Sequence, residues 1–262
     1  MKALALLLLA TALAGCASNG YRQFYQAHAT APAASAAVLL AGTDTPRLQR
    51  VAADQYADAV QKYRSQGYAL LGTAAFNGRE EKPERALAQA KEIGATRVVL
   101  SSRYTGTRTD VMSVPMLTSD FAYTQGVATV NGRAVPYSGS HSVHGTVLVP
   151  MAVQVQLYDH VAAFLAKLRE VPQSGLALAG LSAAQRKAYE RNSGAVVEVV
   201  YEDSPAFRAD VLEGDLVIAV DGRTVRTPEE AQAALAAAQR RGGNARLQII
   251  RDGRTRELTL AF

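Results

Sequence analysis

The chain has 262 residues, 48% hydrophobic and 19% charged, a balance that excludes wholesale disorder and suits one large domain or two small ones. The formal charge is +5; residues 17–171 carry 15 Lys/Arg against 11 Asp/Glu, whereas residues 172–262 carry 12 of each. The basic residues are dispersed with no aromatic stripe among them, which argues against nucleic-acid binding, and the single cysteine, Cys16, excludes an internal disulfide.

At the start, Lys2 precedes an apolar stretch at 3–14 that is too short for a permanent transmembrane helix. Small residues then lead into Leu13-Ala14-Gly15-Cys16. This run resembles a bacterial lipobox. The resemblance implies that residues 1–15 are a signal peptide, removed so that Cys16 becomes the first residue and carries acyl chains (a palmitate-type anchor). Each buried methylene contributes about 0.8 kcal/mol, so two or three chains hold a protein almost permanently. Ala17 stands where an inner-membrane lipoprotein has aspartate, which implies an outer-membrane protein facing the periplasm.

Residues 16–35 carry no sustained period and read as a lipidated tether, and the apolar run 36–40 as a first strand. Leu48, Val51, Ala52, Tyr56, Ala59, Val60 and Tyr63 recur at helical spacing. Gly67 stops that helix; residues 68–76 predict a strand and Asn77-Gly78 a turn. Pro83 opens a second helix whose apolar face (Ala86, Leu87, Ala90, Ile93) ends at Gly94, and residues 96–104 predict a buried strand. Strand, helix, strand makes a small α/β module.

From 105 to 150 the composition turns to Thr, Ser, Gly, Val and Tyr, and Asn131-Gly132 is a two-residue hairpin turn inside an extended ribbon. Met151, Val153, Val155 and Leu157 alternate as a strand; residues 158–168 read as strand or helix, with strand favoured by the short hairpins around them. Residues 45–170 resemble a group of uncharacterised bacterial lipoproteins through Gly67-Tyr68, Gly72, Phe76-Asn77, Ile93-Gly94-Ala95 and Tyr104-Thr105-Gly106. That resemblance implies common ancestry and no particular chemistry.

A boundary falls at 172–174. Beyond it come a continuous apolar strand (195–201), Ser204-Pro205 starting a short helix, Gly214-Asp215 before the strand 216–220, and a turn at Asp221-Gly222. Thr227-Pro228-Glu229-Glu230 reads as a capping box, and Asp252-Gly253 as the turn of a closing hairpin. In this order the segments resemble a PDZ domain of the circularly permuted kind found in HtrA-type periplasmic proteases. The resemblance implies an α+β fold overall: residues 36–171 an α/β module with a hairpin extension, and 172–262 a five-stranded β domain with two helices. It also implies a peptide groove. Gly175 would turn backbone amides to a ligand's terminal carboxylate, with Leu176, Ala177 and Leu178 receiving the ligand as an added strand. Ala231, Ala234 and Leu235 would form the opposite wall.

No catalytic site is expected. A trypsin-like partner domain needs about twice the length of 45–170, and Ser138-Gly139-Ser140-His141-Ser142 reads as a polar hairpin. His141 and His144 are three apart, which in a strand sends the rings to opposite faces, so no metal and no cofactor is expected. The expected partners are C-termini or extended segments of envelope proteins, with the membrane engaged by the lipid anchor. The competing readings are a self-assembling envelope lipoprotein and an accessory subunit of a periplasmic protease.

Overall fold

The computed structural model describes residues 19–28 and 45–262. The expected signal peptide, Cys16, residues 17–18 and 29–35 of the expected tether, and the strand at 36–40 lie outside the described residues. Two compact units divide the chain: residues up to Arg103 together with Asp159–Phe262, and Tyr104–Tyr158.

The first unit begins with α1 (Gly20–Gln23), β1 (Tyr25–Ala27), β2 (Arg47–Arg50), α2 (Tyr56–Ser65), β3 (Tyr68–Gly78) and α3 (Pro83–Ile93). Two long strands follow, β4 (Arg97–Val130) and β5 (Arg133–Lys167), and the sheet order is β1-β3-β5-β4-β2. The part of the tether that is described is folded, contrary to expectation. Asn19 caps α1 by accepting from the Tyr21 and Arg22 amides, β1 pairs antiparallel with β3, and Tyr21 is fully buried with its ring edge-on to Phe76 at 5.2 Å. The helix expected from Leu48 onward starts only at Tyr56; residues 47–50 pair parallel with 97–100. A four-residue strand is too short to express a period, so its apolar Leu48 mimics the helix that follows.

Both sheet faces are covered. Ala86 and Ala90 of α3 join Leu71, Ala74, Val98, Leu100 and Phe164 on one face, while Val99, Ala163 and Leu165 meet Tyr56, Ala59, Val60 and Tyr63 on the other. As expected, Pro83 stands in the first turn of α3 and Gly94 terminates it in the left-handed region at φ 75°.

The unit continues with β6 (Leu176–Ala179), α4 (Ala183–Tyr189), β7 (Ala195–Val200), α5 (Pro205–Arg208), β8 (Leu216–Val220) and β9 (Arg223–Thr224). It closes with α6 (Pro228–Arg240), β10 (Asn244–Arg251) and β11 (Arg254–Ala261). The sheet runs β11-β10-β8-β7-β6, with β9 paired to β8, so there are six strands rather than five, and three helices rather than two. The additional helix α4 is held by a complete capping box between Ser182 and Gln185. At α6 the expected box is half made: Thr227 accepts from the Glu230 amide at 3.3 Å, but Glu230 returns to the Arg226 amide at 2.8 Å. Leu176, Val197, Val217, Leu235, Leu247, Ile249 and Leu260 pack into one core beneath α6. Across the sheet, Asp215 is 2% exposed and takes two charge-assisted bonds from Arg251, each 2.7 Å, plus the Leu212 amide at 2.9 Å.

The second unit is the two-stranded ribbon. Asn131 (φ 53°) and Gly132 (φ 76°) make its turn, both left-handed as a tight hairpin turn requires. The undecided stretch 158–168 is strand as far as Lys167. Among the described residues no side chain from 102 to 154 is buried.

Candidate functional site

Among the described residues, β6 stands at the end of its sheet, paired on one side with β7 through Leu176↔Val200 and Ala177↔Val199. Tyr201 donates its amide to the Gly175 carbonyl at 2.9 Å. Antiparallel alternation then points the Leu176 N–H and C=O away from β7, towards the open edge. An unpaired strand edge offers a row of main-chain groups to another chain. Beside it lies α6, whose Ala231, Leu235 and Ala238 are buried against the same core as Leu176 and Leu178.

The sequence-predicted residues therefore come together but divide by role. Leu176, Leu178, Ala231 and Leu235 are buried in the domain core, Ala234 packs against it half-buried, and Ala177 faces the other way, half-buried. Gly175 differs from expectation. Its N–H donates to the Pro172 carbonyl at 2.8 Å instead of facing a ligand. Its glycine identity has a structural cause: φ is 80°, and a Cβ there would collide with the Ser204 side chain, which caps α5 by accepting the Phe207 amide. The outward amide at the loop's end belongs to Leu176.

A cavity of 310 Å³ adjoins this edge. Ala177 and Leu178 of β6, Gln232 of α6 and Val199 and Tyr201 line it, together with His28, Arg64, Tyr68, Ala69, Leu70 and Leu168 of the α/β module. The sheet register shifts between Ala177 and Leu178, which face Val199 and Val197, so Glu198 is the extra residue of a bulge. That bulge aims Glu198 at Arg64 (2.9 Å) and His28 (3.6 Å). Next to it, the Glu202 amide donates to the Ser65 carbonyl at 3.0 Å and Ser65 Oγ to Glu202 at 2.8 Å. Burial raises the Tyr201 phenol above its ordinary range, so it lines the cavity as a neutral group. The module side of this cavity escaped sequence reading, since no local pattern ties Arg64 to a residue more than a hundred positions away.

Elsewhere, His160 is buried, stacked on Phe76 at 4.9 Å, with Nε2 2.9 Å from the Arg79 carbonyl and Nδ1 3.2 Å from Ser102 Oγ. His141 and His144 are exposed on the ribbon. Among the described residues no group of three or more His, Cys, Asp or Glu is placed to hold a metal ion.

The strand order, the glycine loop before β6, and the helix α6 beside an open edge define a PDZ domain. Residues 175–262 match the sequence profile of that family, described as PDZ domain. The magnetosome formation protease MamE of Paramagnetospirillum magneticum is 39% identical over 67 residues, which are 26% of this chain and 9% of that protein. The chain thus spans only 9% of the length of this curated relative. Among solved structures, the HtrA3 PDZ domain bound to a phage-derived ligand (FGRWV) is 23% identical, over 33% of this chain and 80% of that one, with a TM-score of 0.29. The HtrA-type protease AlgW with decapeptide is 20% identical, over 38% of this chain and 36% of that one, with a TM-score of 0.30.

Proposed function

We propose that the protein is a non-enzymatic adaptor whose PDZ domain grips C-terminal or extended segments of envelope proteins. The observation that carries this reading is the edge of β6, which no described strand covers, with the Leu176 amide directed outward and α6 alongside. An incoming chain would pair its main chain with β6, and its terminal carboxylate would take the Leu176 N–H. No catalytic side chain is needed for that work. The lipobox-like run ending at Cys16 supports a lipid anchor, and Ala17 supports the outer membrane; release of Cys16→Ala into the soluble fraction tests the anchor, and separation of inner from outer membranes carrying the unaltered chain tests the location. Binding is tested by titrating the full chain with peptides that end in a free or an amidated carboxyl group. Amidation removes the charge that the loop amide would hold, and an affinity loss of about tenfold or more is expected.

A second reading, self-assembly, has one observation in its favour. Of 19 large hydrophobic residues that stand exposed among the described residues, 14 lie on the ribbon, from Tyr104 to Met151. Sizing the full chain against a form with a shortened ribbon tests it, since self-assembly through the ribbon requires the shortened form to run smaller by whole subunits.

A further inference from the structure

We propose that the ribbons of several copies close edge to edge into a β-barrel that crosses a lipid bilayer, with residues 111–119 and 144–152 in the hydrocarbon. This rests on the self-assembly reading of the ribbon and is independent of the groove at β6.

Between Val111 and Ala152 the only Asp, Glu, Lys or Arg are Asp120 and Arg133, in a chain that is 19% charged overall. A Cβ added at Gly126 would meet the Tyr137 ring at 2.7 Å, and one at Gly145 the Thr118 hydroxyl at 3.3 Å. Even-numbered residues of β4 therefore share a face with odd-numbered residues of β5 in this part of the ribbon. On that face Met112, Val114, Met116, Val147, Val149 and Met151 form an apolar band, and charge bounds it on β4. Asp110, held by Arg108 at 2.8 Å, stands at one end and Asp120 at the other. The roughly ten residues between them, at about 3.4 Å each and tilted about 45°, rise about 24 Å, which matches the apolar height of outer-membrane barrels. The other face carries Ser113, Ser119, His144 and Thr146 around Leu117 and Leu148, so it is the one able to line water.

The backbone requires more than one copy. β2 reaches only as far as Leu100 of β4, and β3 has 11 residues against the 35 of β5, so the ribbon's outer edges are open among the described residues. A lone ribbon in lipid would leave the N–H and C=O groups of both edges unpaired, whereas ribbons side by side pair them and closure removes the last edge. Pro115, Pro136 and Pro150 withhold three donors. Counted from the Asn131-Gly132 turn, these point to the outer edges, so the ladder within the ribbon is whole and most of each edge still pairs. With two strands from each copy and at least about eight in a barrel, about four copies or more are needed. A lipid anchor gathers copies on one surface and raises their local concentration, so assembly belongs to the anchored chain.

The test uses the full chain, purified in detergent and reconstituted in phosphatidylcholine–phosphatidylglycerol vesicles. Val147→Cys, Val149→Cys, Thr146→Cys and Ala152→Cys each carry a thiol-linked dye, with the unaltered chain as blank. A nitroxide-labelled lipid is expected to quench the dye at 147 and 149 at least about twofold more than at 146 and 152, and sizing in detergent to give about four copies or more. Val149→Arg should lower the assembled fraction at least about tenfold, and Thr146→Arg should leave it unchanged. Equal quenching at all four positions, no quenching at any, or equal loss in both Arg variants overturns the crossing, and several copies in detergent would then leave self-assembly standing. Fewer than four copies overturns the barrel, and a single copy overturns self-assembly as well.

Discussion

The PDZ domain and the ribbon are built from similarly ordinary β-forming sequence, yet they are stabilised in different ways. In the PDZ domain, 16 buried residues share one core, and α6 closes over them. In the ribbon, the described side chains from Tyr104 to Gln154 are all exposed or half-exposed, so the order of its strands rests on the hydrogen-bond ladder and the Asn131-Gly132 turn. Two strands without a covered face are only marginally stable in water. The contrast separates substitutions that act on a core from those that act on a surface.

The largest effect is expected at the ion pair buried behind β8. Asp215→Ala leaves Arg251, 12% exposed, without its bidentate partner, and should lower the stability of the PDZ domain by about 3–5 kcal/mol in urea unfolding. Leu247→Ala, in the fully buried centre of the core, should cost about 2–5 kcal/mol through the same measurement. If either falls below about 1 kcal/mol, the domain does not depend on its core as described. Ser182→Ala removes one arm of the capping box at α4 and should cost about 1 kcal/mol, with peptide affinity unchanged because α4 is not beside the groove. The smallest effect is expected on the ribbon. Leu117→Ser, at a position 87% exposed, should shift stability by no more than about 0.5 kcal/mol in a monomer. A larger loss that grows with protein concentration would mean the ribbon is covered by another copy, and would sharpen the contrast into an assembly.

Much of the PDZ domain was legible because its boundaries are set by local chemistry. Ser204-Pro205 and Thr227-Pro228 start helices where their hydroxyls accept first-turn amides, and Asp221-Gly222 and Asp252-Gly253 turn where both residues adopt positive φ. Helix α4 carried the same kind of signal, Ser182-x-x-Gln185, and was passed over because its apolar face is slight and none of its residues is buried. What could not be read was tertiary. Tyr21 lies in a polar, aperiodic stretch and is buried only because β1 finds β3 across 45 or more positions of chain. Gly175 was assigned to the ligand from the loop it occupies, whereas its neighbour Ser204, brought close by folding, accounts for it, and the outward amide is that of Leu176. Likewise Arg64 and Glu198 meet only because a bulge in β7 turns a carboxylate towards α2.

The central claim is that the open edge of β6 holds another polypeptide by its tail. The most direct measurement is the affinity of the full chain for one peptide in two forms, ending in a free carboxylate and in an amide. The account predicts saturable binding of the free form and a loss of about tenfold or more on amidation. Equal affinity for the two forms, or no binding of either, would contradict it.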